Sequence, residues 1–285
     1  MLRPTAEVVL ISPITYEGRR FPGLRPGCKS PKLAPMKVVA VIPARLGSTR
    51  LPRKMLREIG GRPLVTWVYQ AVRACSRLDD VIVATDSQEI MEACRRHSCN
   101  ARMTSDQYRS GTERVHEISR NVVADVYLNV QGDEPMVRRE QIDTIIDLMS
   151  APLLPGFGRS AKEDTQIAVG TLKTPATPEE VANPNAVKVV TDLTGRALYF
   201  SRATIPYDRD GARPQYFKHL GIYAYRKSAL DQFVALPESL LERAERLEQL
   251  RFMENGVSIY AAETPFDSIG VDTEEDLVRV QKLLR

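Results

Sequence analysis

From position 37 onward the apolar residues change period in a regular order. Residues 37–42 form an unbroken β-branched run, the pattern of a strand buried on both faces. Pro63 then opens a stripe of Leu64, Trp67, Val68, Ala71, Val72 and Cys75, one apolar helix face. Residues 80–84 are a second buried strand. Asp86 is positioned to cap a helix over 87–97, with Glu89 where a capping box wants it. A strand at 126–130 and a helix over 138–149 follow. This alternation predicts parallel strands joined by crossover helices. Residues 151–165 read as an exposed loop. Beyond them short strands are expected at 186–190 and 196–200, with a hairpin-like turn at 191–195, then a strand over 218–225. An amphipathic helix over 242–253, a strand over 257–261 and a helix over 273–284 complete the pattern. Thr273 is the expected cap of the last helix, with Asp276 three residues on.

Composition narrows the class. With 43% hydrophobic and 27% charged residues among 285, the chain has an ordinary globular make-up. Residues 1–35 contain six of the 19 prolines and no sustained period, and read as a flexible extension before a single domain over 36–285. That extension holds six cations and two acids, which accounts for the whole net charge of +4. The rest is balanced, so basicity gives no argument for a nucleic-acid partner. No apolar run approaches the roughly 18 residues of a membrane span, and the N-terminus lacks the pattern of a signal peptide. Cys28, Cys75, Cys94 and Cys99 form no CxxC pair and no zinc spacing, so reduced, packed thiols in a cytoplasmic protein are expected.

The chemistry concentrates in the loop after the first strand. Between Arg45 and Arg57 there are five cations and no acid. The loop lies at a carboxyl strand end, where open α/β sheets place ligands. Gly47 and Ser48 let backbone N–H groups approach an anion, and the cations supply charge. A triphosphate fits this loop better than a carboxylate does. The Walker pattern and GxGxxG are both absent. The plain alternative is a solvated basic loop.

The segment VIPARLGSTRLPRK at 41–54 resembles the nucleotide-binding signature of sugar cytidylyltransferases. Further similar blocks follow in family order: SGTER at 110–114, NVQGDEP at 129–135, NPNAVKVV at 183–190, YFSRATIP at 199–206, HLGIY at 219–223, LEQLR at 247–251 and SIGVDT at 268–273. As a set they are most similar to the branch that acts on 3-deoxy-manno-octulosonate (Kdo). The resemblance implies an α/β fold, with a mostly parallel central sheet flanked by helices. It also implies an inserted β-rich region, about 183–226, for sugar binding and dimerisation. It implies transfer of CMP from CTP to Kdo, for lipopolysaccharide synthesis by a homodimer. Another acidic sugar, sialic acid or an 8-amino Kdo analogue, is the alternative substrate, and a non-catalytic nucleotide-binding module is the alternative class.

Residue by residue, the resemblance puts Pro43, Ala44, Arg45, Gly47, Ser48, Lys54, Ser110, Gly111, Thr112 and Gln131 around the nucleotide. Arg45, Arg50 and Lys54 face the leaving group, and Asp133 and Asp272 hold Mg²⁺. Two Asp oxygens converging at a strand end suit such a hard cation. Glu134, fixed by Pro135, has either a site role or an exposed structural one. Arg202, His219, Tyr223, Glu248 and Gln249 match the sugar-binding blocks. Plainer readings exist for several: Asp133 as a turn residue, Asp272 as a helix cap, Gln131 as a strand-end amide, Ser110 as a helix start, His219 as a core histidine, Tyr223 as an interface aromatic, Arg202 as a surface ion-pair partner and Glu248 as a solvated helix charge. The chain departs from the family at Tyr108, where histidine is usual, and at Arg53, where glycine is frequent.

Overall fold

The computed structural model describes residues 36–48, 50–151 and 166–284. The extension expected over 1–35, Cys28 and nearly all of the loop expected over 151–165 lie outside the described residues. Among the described residues the first part runs β1 (Val38–Ala44), a small hairpin of β2 (Glu58–Ile59) and β3 (Arg62–Pro63), α1 (Leu64–Arg73), β4 (Asp80–Thr85), α2 (Gln88–Arg96), β5 (Ala101–Met103), α3 (Gly111–Asn121), β6 (Val126–Asn129) and α4 (Arg139–Ser150). The second part runs β7 (Val169–Pro175), α5 (Pro178–Ala182), β8 (Lys188–Thr191), β9 (Ala197–Ser201), β10 (Phe217–Tyr225), α6 (Lys227–Ala235), α7 (Leu240–Glu245), α8 (Gln249–Glu254), β11 (Ile259–Glu263) and α9 (Glu274–Leu283).

The main sheet has the order β11-β7-β10-β6-β1-β4-β5. Strands β6, β1, β4 and β5 pair in parallel, and β11 is parallel to β7. Strand β10 alone on this path runs against both its neighbours. The result is the mostly parallel, helix-flanked sheet that the sequence predicts. The alternation within β1 shows why its run is unbroken. Val38, Ala40, Ile42 and Ala44 enter one apolar cluster, and Val39 and Val41 enter the other, on the opposite face. A third cluster packs α9 residues Leu277 and Val280 against Leu51, Ile59 and Leu64, and so ties the C-terminal helix to the basic loop.

Three sequence expectations are refined. Residues 217–225, assigned to the inserted β-rich region, supply β10 in the middle of the main sheet. Among the described residues of that region, β8 and β9 form the antiparallel hairpin off the main path. Leu220, Ile222, Tyr223, Ala224 and Tyr225 are all buried, which only an interior strand allows. The cap of α2 is Ser87, whose side chain accepts from Ile90 N–H; Asp86 instead pairs with Arg114, and Glu89 with Arg53. The helix expected over 242–253 is two short ones, broken at Arg246 by a left-handed turn with φ 54°. Thr273 does cap α9, in a capping box with Asp276. Cys75, Cys94 and Cys99 are free and buried. Among the described residues, no helix is long and apolar enough to cross a membrane.

Candidate active site

A cleft of about 890 Å³ opens at the carboxyl ends of β1 and β6. Pro43, Ala44, Arg45, Gly47, Ser48, Arg50 and Lys54 line it from the basic loop, and Gln131, Gly132 and Asp133 from the segment after β6. Gly132 is required there by close approach. A Cβ on it would stand 2.7 Å from the Pro43 carbonyl oxygen and 3.1 Å from Met55 Sδ. Both strand ends are thereby pressed together, which brings their loops onto one ligand.

Asp133 and Asp272 meet at Lys54. The Lys54 ammonium donates to Asp133 Oδ2, and to Asp272 Oδ1 at 3.0 Å; Arg50 Nη2 lies 3.0 Å from Asp272 Oδ2. The residues are far apart in sequence, and backbone pairing joins them: Val271 N–H donates to the Asp133 carbonyl at 2.9 Å. Burial pulls the Lys54 pKa down, but the two carboxylates outweigh it and hold the ammonium above its ordinary range. A point within reach of both carboxylates is therefore already a cation position. Among the described residues no cluster of three or more His, Cys, Asp or Glu forms a metal cage. Two carboxylate oxygens with an open cleft in front of them do fit Mg²⁺, which takes one or two protein carboxylates and completes its shell with phosphates and water.

The facing wall comes from α3 and the α7–α8 turn. Ser110 caps α3 in a capping box with Glu113, as its helix-start reading has it, and also lines the cleft. Gly111 lines it too, but Thr112 is buried behind the wall, with its hydroxyl 3.4 Å from Tyr225 OH. Arg114 is a buried guanidinium at the cleft wall. It is satisfied by Asp86, by Thr104 Oγ1 at 2.6 Å and by Ser105 O at 3.0 Å. Tyr108 lines the same wall.

A second cleft, about 760 Å³, adjoins the first along the chain: Gln131, Gly132 and Asp133 line the first, and Glu134 the second. His219 and Gly221 line it from β10. Burial, with the nearby Asp133 and Asp267 charges, pushes the Glu134 pKa up to about 7 against a hydrogen bond from Ser268. Burial pushes the His219 imidazole down to about 3.

Strand β10 carries a bulge. Leu220 pairs with Leu172, and the next pair is Tyr223 with Thr171, so Gly221 and Ile222 are extra. Residues i and i+4 of a regular strand are about 13 Å apart. Here the His219 and Tyr223 ring centroids are 5.2 Å apart, because the bulge folds them together. The displaced Gly221 carbonyl accepts from Gln131 Nε2 at 3.3 Å.

Among the described residues, four buried side-chain polar atoms have no hydrogen-bond partner: Asn129 Oδ1, Tyr223 OH, Glu248 Oε2 and Gln249 Nε2. Three of the four residues are sugar-block residues. Burial raises the pKa of both Tyr223 and Glu248. Such orphans are costly unless a ligand completes them. Asn129 is the one missed in the sequence. Its signal was available, a polar residue ending a buried apolar strand. Arg202 is not brought to either cleft. Its Nε donates to Glu245 O at 2.7 Å, its Nη1 to Pro184 O at 3.1 Å and its Nη2 to Arg246 O at 3.4 Å. The planar fork is occupied by backbone, pinning the α7–α8 turn to the segment before β8.

Similarity to known proteins identifies the family. A family model described as cytidylyltransferase matches residues 39–259. The 3-deoxy-manno-octulosonate cytidylyltransferase of Koribacter versatilis is 63% identical over 251 residues, covering 88% of this chain and 91% of its own. That of Acidobacterium capsulatum is 52% identical over 88% of this chain and 98% of its own. A solved structure of CMP:2-keto-3-deoxy-manno-octonic acid synthetase complexed with CTP superposes with TM-score 0.79 at 40% identity, covering 87% of this chain and 98% of its own. A 4-diphosphocytidyl-2C-methyl-D-erythritol synthase from Anaerococcus prevotii, 15% identical over 88% of this chain and 99% of its own with TM-score 0.57, shares the fold. The chain thus belongs to the cytidylyltransferase family, among the 3-deoxy-manno-octulosonate cytidylyltransferases.

Proposed function

We propose that this chain transfers CMP from CTP to Kdo, with CTP in the first cleft and the sugar acid where the first cleft meets the second. The observation that carries this reading is the convergence of Asp133, Asp272 and Lys54 at that junction. The anomeric hydroxyl of the sugar attacks the α-phosphorus. A new P–O bond forms, the bond to the β-phosphate bridging oxygen breaks, and pyrophosphate leaves. Negative charge spreads over phosphoryl oxygens in the transition state, so positioning and cations do most of the catalysis. Arg45 and Arg50 line the side of the cleft suited to the triphosphate, and Lys54 is held charged by its two carboxylates. Asp133 and Asp272 are the residues that would hold Mg²⁺, which supplies charge neutralisation at phosphoryl oxygens and lowers the pKa of the attacking hydroxyl. No side chain at the junction is needed as a separate general base.

On the sugar side, Glu248, Gln249, Tyr223 and Asn129 offer mostly acceptor atoms, which suits a ligand rich in hydroxyl groups. The same reading makes the protein a cytoplasmic homodimer that supplies lipopolysaccharide assembly. Leu193, Leu198 and Tyr207, exposed on and just after the β8–β9 hairpin, are where a second copy would pack.

The test is pyrophosphate release by the purified protein. Four nucleoside triphosphates are crossed with Kdo, its 8-amino analogue and sialic acid, with Mg²⁺ or with a chelator. CTP with Kdo and Mg²⁺ is expected to exceed every other pair at least tenfold. A faster reaction with another sugar acid, or full activity in chelator, overturns the corresponding part of the assignment.

A further inference from the structure

We propose that Thr171 is a positioning residue for the acceptor sugar: its hydroxyl locks His219 as the Nε2–H tautomer and leaves Nδ1 facing the second cleft as a hydrogen-bond acceptor. This rests on the sugar-side reading of His219 given above.

The argument is a count of protons. Thr171 is fully buried on β7. Its Oγ1 lies 2.8 Å from Ile222 O, 3.2 Å from Leu220 O and 3.0 Å from His219 Nε2. A hydroxyl has one proton and two acceptor sites. Both carbonyls can only accept, so the proton belongs to them. Giving it to the imidazole would leave two carbonyl oxygens pressed against an oxygen with no hydrogen between. Nε2 must therefore be the donor, and in a neutral ring Nδ1 then carries a lone pair. Burial, which pushes the ring's pKa down to about 3, keeps it neutral near pH 7. Among the described residues Nδ1 has no protein partner, while the ring lines the cleft.

The same hydroxyl holds the bulge. Leu220 and Ile222 flank the point where β10 leaves register, and their carbonyls turn toward one Thr171 oxygen. The carbonyl between them, on Gly221, is thereby left for Gln131, a residue of the first cleft. One side chain thus sets the His219 tautomer, the approach of His219 to Tyr223 and the anchor of Gln131. A serine keeps this oxygen; a valine keeps the shape and removes it.

The experiment uses the full chain labelled with ¹⁵N-histidine. The three histidines are resolved by two-bond ¹⁵N–¹H spectra, and His219 is assigned from its loss in His219→Gln. Michaelis constants for Kdo and CTP are measured in parallel. The expected result is an Nε2–H signature for His219 in the unmodified protein and in Thr171→Ser, and a mixed-tautomer signature in Thr171→Val. The Kdo constant should rise about tenfold in Thr171→Val, as for one lost buried hydrogen bond, with the CTP constant within twofold and Thr171→Ser near the parent. An Nδ1–H signature in the unmodified protein overturns the proposal, whether or not Thr171→Val folds. So does an unmoved Kdo constant in Thr171→Val when His219→Gln raises it. An unmoved Kdo constant in His219→Gln itself overturns the sugar-side reading, and the proposal with it.

Discussion

The two clefts are built differently. The phosphate side of the first takes most of its groups from short contiguous segments, 43–48, 50–54 and 131–133, at the carboxyl ends of parallel strands, with Asp272 added from near the C-terminus. Charge, glycine and strand end occur together in the sequence, so the local order of residues already states their use. The second takes His219 and Gly221 from a bulged antiparallel strand, Glu134 from a turn, and Asp267 and Ser268 from a loop near the C-terminus. Nothing in those segments taken singly shows that they share a wall. A phosphate site needs dense charge and free backbone N–H groups, which one loop can supply. A site for a many-hydroxyl sugar needs donors and acceptors spread around it, which only several elements can supply.

The largest expected effect breaks the first cleft at its junction. Asp133→Asn keeps the shape and removes the charge shared by Lys54 and the proposed cation. The turnover number should fall by roughly three orders of magnitude or more, since positioning and charge terms are each worth several kcal/mol. Asp133→Asn with Asp272→Asn should be barely worse, because residues that act as a unit are not additive. Steady-state pyrophosphate release measures both. Fully multiplicative losses would assign the carboxylates to separate jobs and end the shared-cation reading.

Next in size is Gly132→Ala. The new Cβ would meet backbone 2.7 Å away, so the β1 and β6 ends must separate. Overpacking of this kind costs about 1–3 kcal/mol. A shift near 1 Å in the reacting groups costs roughly a hundredfold in rate. Loss of stability in thermal melts should therefore accompany loss of turnover. An active, fully stable variant would show that the close approach does not shape the site.

A smaller effect separates the two accounts of Arg202. The resemblance makes it a sugar-carboxylate clamp, whereas its fork here is spent on three backbone carbonyls. Arg202→Met should lower stability by about 1–2 kcal/mol, a few degrees in melting temperature. The Kdo and CTP constants should both stay within about threefold. A Kdo constant that rises tenfold or more in a variant of parental stability would return Arg202 to the sugar.

These contrasts show what was legible. The parallel core could be read because β-branched runs and helix stripes are local patterns, and β1 buries both faces as its unbroken run requires. The cation loop, Asp133, Gln131 and the α9 cap were legible for the same reason. The meeting of Asp272 with Asp133 was visible only through family resemblance, because it depends on one backbone pairing across the molecule. Thr171 and the bulge were not legible at all. A buried threonine in an apolar strand reads as a packing residue, and its use depends on a register shift in another strand. The helix over 242–253 failed because an amphipathic stripe does not announce a left-handed turn at a non-glycine, and Arg246 adopts one.

The smallest effect concerns Glu134, where the two clefts touch. Its carboxyl pKa is pushed up to about 7, above the ordinary 4.5, with burial as the largest cause. A raised carboxyl pKa means that the folded state holds a proton which the unfolded chain has released. The cost to stability is absent below pH 4.5, grows as pH rises from there, and is complete above about 7. Glu134→Gln removes the titration. It also replaces the charge-accepting partner of Ser268 by a weaker neutral one, which offsets part of the gain. The variant should match or fall slightly below the parent at pH 4.5 and exceed it by roughly 1 kcal/mol, or a few degrees, at pH 8. Thermal melts of both proteins at half-unit steps of pH measure the difference directly. A difference that stays flat with pH, or that favours the parent increasingly as pH rises, would mean that Glu134 is already charged and stabilised in the fold. The boundary between the clefts would then be a second anionic position beside Asp133, and a sugar acid with its own carboxylate would have to approach from the side of His219.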